Sequence, residues 1–226
     1  MILLKLIMLY FKDRNEAGKT LASQLGQYKG QKNALIALSD GAVMVAKSIA
    51  EEIPAVITLL VTEAIAPPGE DIPVGYIDQD GAFVENKLLT SEELRGFTEE
   101  YRTLIEQQKL EKLHRMIALA GGKNIFPQDK LHDYNIMMVA DGFSSGPLID
   151  SLVDLLKPIR IKNFVIAVPV ACVTTVERIN RYSDDVHALG IADFYKGPDH
   201  YFEDNTIPPH EEILKIVEDS IARWQF

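Results

Sequence analysis

The chain has one cysteine, Cys172, so it cannot build an internal disulfide framework. Cys172 lies just past an apolar run, which reads as a buried thiol or, alternatively, as a nucleophile. No run of Lys or Arg is long enough to track a phosphate backbone. With 23 basic against 33 acidic side chains the formal charge is −10, which argues against non-specific nucleic-acid binding. Long hydrophobic runs are also lacking. Met1–Phe11 is mostly apolar, but it contains Lys5, shows no small-residue cleavage pattern and is followed at once by Asp13-Arg14. It is too short to span a bilayer and weak as a secretory signal, and is expected to be a strand or packed arm. A cytoplasmic protein without a membrane partner is the expectation. Neither a G-x-G-x-x-G turn nor a Walker A loop is present. The five histidines, at 114, 132, 187, 200 and 210, have no metal-ligand spacing and read as surface or capping residues.

What is present is an ordinary globular balance, 47% hydrophobic and 25% charged over 226 residues, enough for one sizeable core. Asp13–Tyr28 has helical spacing at Ala17, Leu21, Ala22 and Leu25, with Asp13 as N-cap and Gly18 at a point of close packing. Ala34–Leu38 reads as a strand, Ser39-Asp40-Gly41 as a turn, Val43–Ile53 as a helix and Ala55–Val61 as a second strand. Such a crossover calls for a parallel sheet. Thr62–Asp71 reads as a Pro- and Gly-rich loop. Val74–Ile77 and Ala82–Val84 flank the hairpin turn Asp80-Gly81. A long charged helix follows from Thr90 to about Ala118, with a Thr90/Glu93 capping box, a potential interruption at Gly96 and a stop at Gly121-Gly122. Residues 62–125 thus read as an insert or hood within a single 1–226 domain.

The pivot is Tyr134–Ile149. Ile136–Val139 is a buried-strand run, Asp141-Gly142 opens a small-residue loop, and Pro147 can start the helix over 148–156. Asn163–Val168 is another strand, ended at Pro169, then come a helix from Val173 to Arg181 and a short edge strand, Asp185–Ala188. An aromatic, acidic loop over 193–204 precedes a last amphipathic helix, His210–Trp224, which Trp224 docks. The fold class is α/β, a mainly parallel sheet flanked by helices, with a β-hairpin and helical insert. In such sheets ligands sit beyond the carboxyl ends of the strands. Asp141 lies at one such end, where its carboxylate can take a ribose hydroxyl pair, hold a metal through water, or simply cap its own turn. Gly142 permits an unusual backbone angle there. Ser144, Ser145 and Gly146 offer hydroxyl and amide donors to a phosphate, or cap the helix. Asp40-Gly41 offers further exposed amides, although Asp40 and Glu63 are acids where an anion would prefer cations. Lys12, Arg14, Lys47 and Lys196 are the basic candidates, Lys47 facing solvent. Tyr195 and Tyr201 are placed either to stack on a base or to pack internally.

These stretches resemble the type I phosphoribosyltransferases and phosphoribosyltransferase-like proteins, closest to their stand-alone bacterial branch. Tyr10–Gly18 resembles that branch's opening, with its aspartate-arginine pair. Ala37–Ala46 resembles its first phosphate loop and Val139–Leu148 its phosphoribosyl-diphosphate signature. Val168–Ala171, Asp193-Phe194 and Tyr201–Asp204 resemble later landmarks. The resemblance implies Mg²⁺-bound 5-phosphoribosyl 1-diphosphate over the strand ends. Asp141 would stand at the ribose as the catalytic residue, the loop Gly142, Phe143, Ser144, Ser145 and Gly146 at the 5-phosphate, and Ser39, Asp40 and Gly41 at the diphosphate. The chain departs from the pattern at four places. Ala140 stands where a first acid is usual, Pro147-Leu148 where a later threonine hydroxyl is usual, Ser39-Asp40-Gly41-Ala42 where arginine-glycine-glycine is usual, and Thr62-Glu63 where arginine-lysine is usual. The departures imply a remodelled, degenerate site that binds a nucleotide or phosphometabolite without transfer, or a chain that acts through protein contacts. The alternative is a divergent Mg²⁺-dependent transferase acting on an unidentified nitrogenous acceptor. The resemblance leaves homodimerisation open.

Overall fold

The computed structural model describes residues 10–143, 146–157 and 159–224. The expected arm over Met1–Phe11 therefore lies outside them, save Tyr10 and Phe11. The chain divides into two compact units. The first comprises residues up to Leu59, Ile125–Ser144 and from Ile159 onward; the second comprises Leu60–Asn124 with Ser145–Pro158.

The first unit is built on a five-stranded parallel sheet. Its strands are β1 (Asn33–Ala37), β2 (Val56–Leu59), β6 (Asn135–Val139), β7 (Asn163–Cys172) and β8 (Asp185–Ala192), in the spatial order β2-β1-β6-β7-β8. β1 and β6 are buried at every position, as continuous apolar runs in a parallel sheet must be. Their amino ends carry a polar device. Asn33, Asn135 and Asn163 lie side by side in register. Asn163 donates to Asn135 (2.6 Å) and Asn135 to Asn33 (2.9 Å), while Asn33 donates to the Tyr28 carbonyl. A one-residue slip would break this buried ladder as well as invert the strand faces.

The sheet is flanked by α1 (Arg14–Gln24), α2 (Asp40–Glu52), α6 (Val173–Ile179) and α7 (His210–Ala222). Asp13 caps α1 by accepting from the Glu16 amide. α1 and α2 cross closely at Gly18, where a Cβ would stand 2.5 Å from the Val45 carbonyl oxygen. α7 packs on β2 and is tied to it by the Ser220 hydroxyl, which accepts from the Ile57 amide. Trp224 stands edge-on to Tyr134 and donates to its hydroxyl, docking the end of that helix.

Three expectations are corrected here. Ser39-Asp40-Gly41 is the start of α2 and not a free turn, because the Ser39 side chain accepts from the Ala42 amide and caps the helix. β7 does not stop at Pro169. The ladder to β8 skips that residue, which has no N–H, and resumes at Val170↔Gly190. β8 accordingly runs to Ala192 rather than Ala188.

The second unit holds an antiparallel sheet, β3 (Thr62–Ile65), β4 (Gly75–Asp78) and β5 (Phe83–Glu85), with helices α3 (Ser91–Glu100), α4 (Arg102–Leu119) and α5 (Gly146–Leu156). Thr62–Ile65 is thus a strand, not loop: it pairs with β4, and Glu63 on it meets Arg115 of α4. The Asp80-Gly81 turn closes the hairpin with Gly81 at φ 85°. Gly96 does not interrupt the long helix; the break falls at Tyr101, between α3 and α4. The Thr90/Glu93 capping box is present. Ile65, Val74, Ile77, Ile105 and Met116 form this unit's core.

Candidate functional site

The carboxyl ends of β1 and β6 bring the site together within the first unit. Phe11 pairs with the 201–203 segment, its amide donating to the Tyr201 carbonyl and its own carbonyl accepting from Glu203. The Asp13 cap then makes Arg14 the first helical residue. As a result Arg14 enters the protein side chain first, 3% exposed. Its Nε donates to Asp141 (2.9 Å), one terminal nitrogen to Asp199 (2.7 Å) and the other to Asn205 (3.2 Å). The guanidinium lies 4.6 Å from the centre of the Phe202 ring.

Asp141 is buried at the end of β6. One carboxylate oxygen takes the Arg14 bond; the other accepts from the Ser39 hydroxyl at 2.9 Å. Ser39 therefore acts twice, capping α2 and holding Asp141. Gly41 has to be glycine for this pair to form, since a Cβ there would stand 2.1 Å from the Asp141 carboxylate and 2.5 Å from Arg14 Nε. Asp40, in the first turn of α2, is met by His210 Nδ1 at 2.9 Å. This ties the start of α7 to the start of α2.

Gly142 needs no left-handed backbone angle, which corrects that expectation. Its requirement is close approach: a Cβ would stand 2.0 Å from the Tyr195 hydroxyl. Phe143 is buried and continues the sheet as an isolated bridge to Ala171. Its amide donates to Val170 and its carbonyl accepts from Cys172. Ser144 and Ser145 lie outside the described residues. Gly146 opens α5 in the second unit. The run Gly142-Phe143-Ser144-Ser145-Gly146 also has the G-x-S-x-G spacing of nucleophile elbows. With Ser144 outside the described residues, that spacing carries no assignment.

Tyr195 stacks on Tyr201, ring centres 5.4 Å apart. Burial first, and the Asp141 charge next, push its phenol titration well above the ordinary range. Lys47 is exposed, as expected, and Cys172 is half-buried, with Thr174 and the Asp193 carbonyl nearby. Glu63 belongs to the second unit.

Of the predicted residues, Ser39, Asp40, Gly41, Asp141, Gly142 and Phe143 gather at these strand ends. Arg14 was legible as a basic candidate, but its burial against Asp141 was not. Asp199 and Asn205 carried no signal beyond lying in or beside an acidic loop, and the Asp40–His210 pair spans 170 positions in sequence. Among the described residues no group of three or more His, Cys, Asp or Glu side chains is arranged to hold a metal ion. No described helix is long and apolar enough to cross a membrane.

No protein-family model matches the chain. Two Mycobacterium tuberculosis proteins provisionally named phosphoribosyl transferases are similar to it: MT0597 of strain CDC 1551 / Oshkosh and Rv0571c of strain ATCC 25618 / H37Rv. Each is 24% identical over 215 residues, covering 93% of this chain and 47% of its own length. The chain thus spans about half the length of the curated relatives it matches. The crystal structure of TT1426 from Thermus thermophilus shares the fold, with a TM-score of 0.75 at 22% identity, over 93% of this chain and 98% of that one. The likeness is to a phosphoribosyltransferase-like fold at low identity.

Proposed function

We propose that this phosphoribosyltransferase-like chain binds a phosphorylated ribose compound, a nucleotide or related phosphometabolite, and that transfer from 5-phosphoribosyl 1-diphosphate is suppressed in it. The observation that carries the reading is the double engagement of Asp141 by Arg14 and Ser39. A carboxylate has about four lone-pair directions, so Asp141 keeps acceptor capacity for sugar hydroxyls. Arg14 holds it in place and balances its charge in a buried setting. The 5-phosphate falls to the loop 142–146 by resemblance.

Arg14, by contrast, has most of its donor capacity taken up, with three of its five N–H groups already engaged. Each of its three nitrogens already serves an acceptor, and two of those acceptors are carboxylates. Asp40 adds a further acid at the start of α2. One charged hydrogen bond withheld from a diphosphate costs about 1.5–3 kcal/mol, roughly 10- to 150-fold in affinity. Among the described residues no three His, Cys, Asp or Glu side chains are grouped to hold a metal ion. In this reading any Mg²⁺ arrives on the phosphates of the ligand.

Titration calorimetry with ribose 5-phosphate, and with 5-phosphoribosyl 1-diphosphate in the presence and absence of Mg²⁺, tests the proposal. Micromolar binding of ribose 5-phosphate is expected, weakened at least about tenfold in Asp141→Asn. No diphosphate release is expected when purine and pyrimidine bases are supplied with the donor and Mg²⁺. Diphosphate release would establish the alternative, an active divergent transferase. Absence of heat with either ligand at millimolar concentration would remove the ligand class altogether.

A further inference from the structure

Tyr195 carries a buried hydroxyl with no hydrogen-bond partner among the described residues. A hydroxyl left in this state is costly, and such groups call for an explanation. Its position is fixed from two sides. The ring stacks on Tyr201, whose own hydroxyl donates to the Phe194 carbonyl at 3.3 Å. The oxygen rests on the Cα side of Gly142, where a Cβ would stand 2.0 Å away. Gly142 directly follows Asp141, so an unused donor is packed beside the acceptor that the proposed function assigns to the sugar.

The two groups are chemically complementary. An ionised carboxylate only accepts, whereas a phenol donates. A sugar hydroxyl needs both kinds of partner: an acceptor for its hydrogen and a donor for its oxygen. Ser39 already spends its hydrogen on Asp141, and three of the five Arg14 N–H groups are spent on other acceptors. We infer that the Tyr195 hydroxyl is a ligand-reading donor of this site, giving its hydrogen to a hydroxyl oxygen of a phosphorylated ribose compound while Asp141 accepts from that sugar. The inference rests on the ligand class proposed above and adds a specificity-determining residue to it. A phenol is protonated, and thus a donor, at neutral pH, and burial here only pushes its titration further up. In the free chain the hydroxyl is sealed, so binding has to open the Gly142 contact.

Tyr195→Phe removes one oxygen and keeps the stacked ring. Thermal melts of the free variant and calorimetry with ribose 5-phosphate separate the roles of that oxygen. The expected result is a melting temperature equal to or above wild type, because an unpartnered polar atom has been removed, together with at least about fivefold weaker binding. Binding equal to wild type would overturn the inference and leave the ligand class standing. A lower melting temperature would also overturn it, since the hydroxyl would then serve the fold. Failure of wild type to bind ribose 5-phosphate would overturn the ligand class and this role together.

Discussion

Replacing Arg14 with methionine keeps much of the side chain's volume and removes its charge and donors. Three acceptors lose a partner, but they are not equal. The Asp199 side chain is 72% exposed, so its bond to Arg14 is screened by water and worth about 0–1 kcal/mol. The Arg14 and Asp141 side chains are 4% and 10% exposed. Removing one partner of a pair this buried strands the other charge, at a cost of about 3–5 kcal/mol. For a chain of this length each kcal/mol moves the melting temperature by about 2–4 °C, so Arg14→Met should lower it by roughly 6–20 °C. Asp199→Asn should lower it by no more than about 4 °C. The double variant Arg14→Met, Asp141→Leu removes both charges. It should recover at least about 2 kcal/mol relative to the sum of the single losses. Calorimetric melts at pH 7, in about 0.15 and about 0.5 M NaCl, supply the numbers. The Arg14→Met loss should hardly change with salt, because buried pairs are weakly screened. A shift under about 2 °C for Arg14→Met, or additive single and double variants, would refute the argument that Asp141 is held by Arg14.

Four further outcomes follow from the same structure. Asp78 is fully buried, with one oxygen accepting from the Asp80 and Ala82 amides and the other unpartnered; burial raises its titration despite those donors. An acid whose folded value lies above its unfolded value loses stability as pH rises from the unfolded value through the folded one. Asp78→Asn should therefore raise the melting temperature at pH 7 and flatten its fall as pH rises above the ordinary carboxylate range, and a wild-type profile without that fall would contradict the assignment. Gly96 lies inside α3 with open space where a Cβ would stand, so Gly96→Ala should stabilise by about 0.5–1 kcal/mol in denaturant titrations. Gly142→Ala meets the Tyr195 hydroxyl and should destabilise and weaken ribose 5-phosphate binding; equal effects at both glycines would count against the close-approach reading. Asn135→Leu leaves the buried Asn33 side-chain oxygen without its donor and the half-buried Asn163 amide without its acceptor, and should cost about 1–3 kcal/mol; a neutral result would make the ladder incidental.

The strands of the parallel sheet and their parallel direction, though not their spatial order, were readable because local chemistry decides them. Unbroken apolar runs such as Ile136–Val139 can only be buried on both faces, and helix-length connections between them impose parallel pairing. Helix starts at Asp13 and Thr90 were readable for the same reason, since a cap acts on amides two or three residues away. The likeness to phosphoribosyltransferase-like proteins also rested on short contiguous stretches. What the chain could not disclose in one dimension were pairings between distant segments. Thr62–Ile65 has loop-like neighbours and becomes a strand because β4 supplies its hydrogen bonds. Pro169 stays within β7 because neighbouring residues carry the ladder past it. Above all, the sequence placed Asp141 at a strand end, whereas packing decided what meets it. Arg14 lies 127 positions away and Ser39 lies 102. Charge and hydrogen-bond partnership depend on distances of about 3 Å in space. Residue type and local spacing do not encode those distances; the fold has to close before they exist.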